Sequence, residues 1–206
     1  SKFIFSTLLE DEICRRVEKL RYYMRIPKAI ILRTAGTNCD KETAFAFELA
    51  GAKSELVHIN ELTAGRKRLS DYHILAIPGG FSYGDDIASG KILANELKFK
   101  LEEEIKKFID DGKPVIGICN GFQILVKAGF LPNLAGDFKT IEATLTLNDS
   151  ARFEDRWVRL AKKEKSKCVW TESAGDIIEL PVAHGEGKFI PRNERVLKAL
   201  KGKGLV

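Results

Sequence analysis

The stretch Lys113-Pro-Val-Ile-Gly-Ile-Cys119-Asn-Gly-Phe-Gln-Ile-Leu-Val126 sets a single cysteine between two apolar runs of different period. Val115 to Ile118 are β-branched or glycine and are flanked by turn formers, so they read as a short buried strand, while Gly121 to Ala128 continues at helical spacing. Cys119 therefore falls on a sharp strand-to-helix turn. Gly117 and Gly121 stand two residues either side of it, matching a Gly-x-nucleophile-x-Gly elbow, where a side chain at either position would block the bend. A cysteine held there faces the free N–H groups of the following helix, whose partial positive charge favours thiolate, the reactive form. The competing account is a buried structural cysteine, since free Cys is among the most buried residue types.

Upstream of the elbow the pattern alternates strand and helix. Ala29 to Leu32 is predicted as a strand, Asp40 caps a helix running to Leu49 with Gly51 as its stop, and Glu55 to Ile59 and Ile74 to Ile77 are further strands. A long helix follows, with Leu93, Leu97, Leu101, Ile105 and Phe108 as one buried stripe. Strands separated by helices at this spacing predict an α/β fold with a mostly parallel sheet covered on both faces. Downstream, Thr140 to Leu147 alternates, and Trp157 to Leu160, Val169 to Trp170 and Ile177 to Val182 read as short strands without intervening helices, an antiparallel flank.

The 206 residues fit one domain, with 44% hydrophobic and 31% charged residues. No run approaches the roughly 20 apolar residues of a membrane span. Residues 1–23 read as a separate N-terminal helical extension, with Leu9, Ile13, Val17 and Leu20 at helical spacing and with charges that rule out a signal peptide. Met24, the only methionine, is a candidate original start, which makes 24–206 the main domain. The net charge of +5 comes largely from scattered lysines, concentrated at Lys162, Lys163, Lys165 and Lys167 and at Lys198, Lys201 and Lys203. Without interleaved aromatics these read as solvated surface or a dock for an acidic protein, and nucleic acid is not expected as a partner. Cys14, Cys39, Cys119 and Cys168 are widely spaced with no C-x-x-C pair, so neither a zinc site nor a disulfide framework is expected, and a reducing cytoplasm fits best.

In open parallel sheets ligands collect outside the carboxyl ends of the strands. Thr34 to Asp40, Pro78 to Asp86 and Cys119 occupy such positions. Gly79 and Gly80 let the backbone turn so that N–H groups can point at an oxygen beside Cys119, as an oxyanion hole requires; a plain tight turn is the competing account. Gly84 and Gly90-Lys91 look superficially like a phosphate loop, but five residues separate the glycines and Ile92 replaces the magnesium-binding Ser or Thr, so ATP binding is not expected here. Of the three histidines, His58 and His73 lie at a strand's end and a strand's start, where packing or surface roles are the default. His184 leaves a strand into a glycine-bounded loop with Glu186 two residues on, and composition alone nominates the two as base and orienter.

Gly36-Thr-Asn-Cys-Asp40, Pro78-Gly-Gly-Phe-Ser-Tyr-Gly-Asp-Asp86, Gly117-Ile-Cys-Asn-Gly-Phe-Gln123, Leu131-Pro-Asn133, Asn148-Asp-Ser150 and Ala183-His-Gly-Glu-Gly-Lys-Phe189 together resemble the successive signature blocks of the class I (triad) glutamine amidotransferases. Within that family they resemble the glutaminase subunits of phosphoribosylformylglycinamidine synthases. The resemblance implies a flavodoxin-like three-layer sandwich. It also implies that Cys119 attacks the side-chain amide of glutamine, with backbone N–H groups at Gly80, Phe81 and Asn120 as the oxyanion hole and Gln123 in the glutamine pocket. It implies no cofactor in this chain. Ammonia would pass to a large synthetase subunit that uses ATP and magnesium to make phosphoribosylformylglycinamidine in de novo purine biosynthesis, with a small third subunit in the assembly.

In the family the catalytic histidine and glutamate belong to a His-Pro-Glu motif beyond the Ala-His-Gly-Glu block, and this sequence does not contain it. The resemblance therefore removes His184 and Glu186 from the catalytic residues and leaves them a structural or subunit-communication role. It also implies that the sequence lacks its C-terminal segment, and it puts glycine where Ala151 stands. The alternatives are a non-catalytic docking or regulatory subunit of the same fold, and an elbow-cysteine hydrolase or chaperone that acts without a synthetase.

Overall fold

Along the first strand, β1 (Lys28–Arg33), Ile30 and Leu32 join one buried cluster while Ala29 and Ile31 join another, so this strand needs cover on both faces. The structure, a computed structural model, describes residues 26–164 and 166–206. The helix expected over residues 1–23 and the Met24 start lie outside the described residues, as do Cys14 and Lys165.

After β1 come α1 (Asp40–Leu49), β2 (Lys53–His58), the short α2 (Ile59–Thr63) and β3 (Ile74–Ile77). Next are α3 (Lys91–Lys100), α4 (Glu102–Asp110), β4 (Val115–Gly117) and α5 (Asn120–Ala128). The four strands form one parallel sheet in the order β2-β1-β3-β4. The register places Ile30 beside Leu75 and Ala76 beside Ile116. The large core lies on the face covered by α3, α4 and α5, where Leu93, Leu97, Phe108 and Leu125 meet Ile30, Leu32, Leu75 and Ile77. On the other face Ala29, Ile31 and Ala76 meet Ala44 and Phe47 of α1.

Two predictions from periodicity are corrected here. The long helix is two helices that break at Leu101, whose φ of −131° is outside the helical range. The stripe survives the break, because Leu93, Leu97, Leu101, Ile105 and Phe108 are all buried. Charge placement favours the break: Lys98 and Lys100 close the first helix and Glu102, Glu103 and Glu104 open the second, each set complementing its helix dipole. The strand expected at Val169 to Trp170 is instead a 3₁₀ turn, Val169–Thr171. Trp170 is drawn out of any ladder by two contacts: its indole N–H donates to the Val115 carbonyl at 3.0 Å, and its ring lies edge-on to Phe47 at 6.2 Å.

The remaining strands are antiparallel as expected, but they form two ribbons separate from the parallel sheet. β5 (Ala143–Thr146) pairs with β8 (Lys188–Pro191), and β6 (Glu154–Ala161) pairs with β7 (Ile177–His184). The first ribbon packs Ala143, Leu145 and Phe189 on Val126, so α5 is enclosed between sheet and ribbon. The last helix, α6 (Glu194–Gly202), is capped by the Asn193 side chain, which accepts from Val196 N–H. No described helix is long and apolar enough to cross a membrane.

On β2, Glu55 accepts the Lys28 and Lys67 ammonium groups and the Tyr72 hydroxyl. The bonds to Lys28 and Lys67 outweigh burial and hold its carboxyl at about 2. A depressed native pKa means the stabilisation is complete above the ordinary glutamate value and is lost as pH falls from 4.5 toward about 2. Glu55→Gln is expected to lose roughly 1 kcal/mol at neutral pH by urea denaturation. Its gap to the wild type should narrow below pH 4.5, and a gap independent of pH would refute the assignment.

Candidate active site

Cys119 adopts φ 54° and ψ −112°, a conformation that non-glycine residues avoid and that costs roughly 1–3 kcal/mol. Close approach of the surrounding backbone enforces it. A Cβ at Gly121 would stand 1.9 Å from the Ile77 carbonyl oxygen, and one at Gly117 would stand 2.6 Å from the Gly121 carbonyl oxygen. The sequence expectation of an elbow with two obligatory small residues thus has a direct steric basis. Ile124, Leu125, Val126 and Ala128 anchor α5 in the apolar clusters on either side of it, while Cys119 itself is exposed and reachable.

In the order β2-β1-β3-β4 the direction in which strands are added reverses between β1 and β3, which is where a crevice opens at the strand ends. The loops that follow these strands are joined by main-chain bonds. Asn38 and Cys39 N–H both donate to the Gly79 carbonyl at 3.3 Å, and Phe81 N–H donates to the Gly36 carbonyl at 2.8 Å. Gly79 lies against the thiol, its Cβ position 3.2 Å from Cys119 Cβ. The bond to Gly36 corrects one expectation: the Phe81 N–H is already engaged and is not free for an oxyanion. The N–H groups of Gly80 and Asn120 make none of the loop or cap bonds among the described residues.

Gln123 lies buried on the elbow helix, within the polar network of the crevice. Its side chain is 7% exposed and both ends are engaged: Nε2 donates to the Glu186 carbonyl at 2.8 Å and Oε1 accepts from Asn120 Nδ2 at 3.1 Å. It ties the Ala183–Phe189 block to the elbow helix. Asn120 extends the same network, because its Oδ1 accepts from Ser82 Oγ at 2.7 Å and its Nδ2 donates to Asp85 Oδ1 at 3.2 Å.

His184 and Glu186, the pair nominated by composition, do not bond to each other. His184 Nδ1 bonds to Asn148 Oδ1 at 3.0 Å, and the Glu186 carboxylate pairs with Lys127 Nζ at 2.7 Å. The imidazole fits only because residue 187 is glycine, since a Cβ there would lie 2.0 Å from the ring. His58 Nδ1 accepts from Asn60 N–H and caps α2, and His73 Nδ1 accepts from Lys28 N–H, so both have the structural roles expected of them. Among the described residues no hydrogen bond joins a histidine to Cys119.

Sequence reasoning missed Ser82, Asp85 and Lys127. Lys127 carried a usable signal, because a lysine four residues after Gln123 on an otherwise apolar helix implies a buried ion partner. Burial, then the Glu42 carboxylate and then Cys119 push up the thiol of Cys39, the other cysteine of the crevice, which disfavours its thiolate. Ala151 adopts φ 51°, which explains why glycine is the better residue there.

A family model for the CobB/CobQ-like glutamine amidotransferase domain matches residues 26–206. The chain is similar to phosphoribosylformylglycinamidine synthase subunit PurQ of Dehalococcoides mccartyi, 54% identical over 171 residues that cover 83% of this chain and 66% of the relative. It is also similar to the subunit of the same name from Treponema denticola, 46% identical over 189 residues that cover 87% and 70% of the two chains. The chain thus spans about two thirds of the length of these curated relatives. Among solved structures it is similar to a chain of PurLQS from Thermotoga maritima, with a TM-score of 0.66, 31% identity and coverage of 82% and 72%. A second Thermotoga maritima structure, of a glutamine amidotransferase, shares the fold at a TM-score of 0.51 and 17% identity, covering 82% and 64% of the two chains.

Two substitutions test the backbone reading of the site. Gly121→Ala is expected to cost roughly 3 kcal/mol in urea denaturation, because helix and strand must separate to admit the methyl. Ala151→Gly is expected to stabilise by roughly 1 kcal/mol as left-handed strain is relieved. Wild-type stability in the first variant would refute the close approach, and a loss in the second would refute the strain.

Proposed function

The chain belongs to the CobB/CobQ-like glutamine amidotransferase family, and on that premise we propose that it is a glutaminase that hydrolyses glutamine to glutamate and ammonia. The observation that carries this reading is an exposed thiol on a strained elbow beside the N–H groups of Gly80 and Asn120, which no loop or cap bond engages. Cys119 Sγ attacks the side-chain carbonyl carbon of glutamine, and the charge that develops on the oxygen is met by those two donors. Collapse breaks the C–N bond, and nitrogen leaves as ammonia with the proton the thiol gave up. The glutamyl thioester is then attacked by water, which releases glutamate and returns a proton to sulfur. The family resemblance assigns the proton shuttle to a His-Pro-Glu motif that this sequence does not contain.

The ammonia passes to a large synthetase subunit, which uses ATP and magnesium to make phosphoribosylformylglycinamidine in the cytoplasm. A small third subunit completes the assembly, and this chain carries no cofactor of its own. The relatives named as subunits of that synthase support the assignment. A second reading, a non-catalytic docking or regulatory subunit, is favoured by one observation: among the described residues no histidine is hydrogen-bonded to Cys119.

In the assembled complex, Cys119→Ala is expected to lower glutamine-dependent amidine formation by on the order of a thousandfold or more, while formation from added ammonia persists. Loss of both activities with the complex intact would refute the supply of ammonia by this chain. A wild-type complex that releases no glutamate would establish the second reading.

A further inference from the structure

Glu186 bonds to three residues on two segments of the site at once. Its Oε1 accepts from Ser89 N–H at 3.2 Å, its Oε2 takes the Lys127 ammonium at 2.7 Å, and its backbone carbonyl accepts from Gln123 Nε2 at 2.8 Å. Ser89 closes the loop that begins with Gly79-Gly80, whereas Gln123 and Lys127 lie on α5, which begins at Asn120. The polar path also closes on itself. From Gln123 it runs through Asn120 Nδ2 at 3.1 Å, and from Asn120 Oδ1 to Ser82 Oγ at 2.7 Å, back into the loop that carries Gly80.

This ring sits where such bonds are stiff. The Lys127 side chain is 6% exposed and that of Glu186 is 20% exposed, so their attraction is poorly screened by water. Burial alone would push the Glu186 carboxyl up, but the Lys127 ammonium and the Ser89 N–H outweigh it and hold the group below the ordinary glutamate range. The proposed oxyanion donors thus belong to two segments, one a loop and the other a helix N-terminus, and this ring bonds them together.

We infer that Glu186 is a positioning residue: by tying the Pro78–Gly90 loop to the elbow helix, it holds the Gly80 and Asn120 N–H groups at the separation an oxyanion requires. The inference rests on the glutaminase reading above. It gives a kinetic role to a residue that does not reach the thiol.

The experiment measures glutamate release, KM for glutamine and Tm for the full-length chain in its complex, as wild type, Glu186→Gln and Lys127→Met/Glu186→Gln. Glu186→Gln strands the buried Lys127 charge and is expected to lower Tm and to reduce kcat about tenfold, with KM within about twofold. The double variant leaves no unpaired charge, so Tm is expected to return toward the wild-type value while kcat stays low, because the ion pair that fixes the residue 186 side chain to the helix is gone. A kcat within about twofold of wild type in Glu186→Gln would overturn the inference. So would recovery of kcat together with Tm in the double variant, which would mark Glu186 as merely structural. A wild type that releases no glutamate would defeat the glutaminase reading itself, a result distinct from either of these.

Discussion

Between Gly121 of the elbow helix and the carbonyl of Ile77 there is no room for a methyl group, since an added Cβ would stand 1.9 Å from the oxygen. That contact sets how deeply α5 sits over β3. Because β3 also carries the Gly79-Gly80 turn on its carboxyl end, seating the helix places the thiol of Cys119 against the same turn. A side chain at residue 121 would lift the helix and open the crevice at its base. The left-handed backbone of Cys119 follows from the same constraint: the chain must leave β4 and enter a helix that is already pressed onto the neighbouring strand.

Strain of that kind persists only where the surroundings over-determine it. Here the restraint comes from both faces of α5. Ile124, Leu125 and Ala128 bury against the parallel sheet, and Val126 buries against the β5–β8 ribbon. The polar residues of the helix are not left over from this packing. Asn120, Gln123 and Lys127 are all buried, and each has a partner off the helix, Ser82 for the first and Glu186 for the other two. A buried polar network with every member satisfied specifies one arrangement, because any slippage leaves a desolvated donor or charge without a partner. Apolar burial supplies the affinity of the helix for its seat, and the network supplies its register.

What could be read from the sequence follows from the range of the forces involved. The elbow was legible because its requirement is local: two glycines and two apolar runs within a dozen residues. The parallel core was legible for the same reason, as strand and helix periods alternate cleanly from Ala29 to Ala128. The break at Leu101 was not, because the apolar stripe continues through it and only the backbone departs from the helix. Trp170 looked like a strand residue because its partners, Phe47 and Val115, are remote in sequence. Gln123 shows the limit most clearly. The motif gave it a place in the site, but its actual partners, Asn120 and the carbonyl of Glu186, could be seen only once the chain had folded. Phe81 is a like case, as its N–H is taken by a carbonyl 45 residues earlier, at Gly36.

The bonds between the two crevice loops, Asn38 and Cys39 to Gly79 and Phe81 to Gly36, are made entirely by main-chain atoms. The side chains of Asn38 and Phe81 take no part in these bonds, and Phe81 extends into solvent at 55% exposure. Such a rim can change its chemistry without moving the groups beneath it. The surface around the thiol is thus free to vary while the backbone below stays constant.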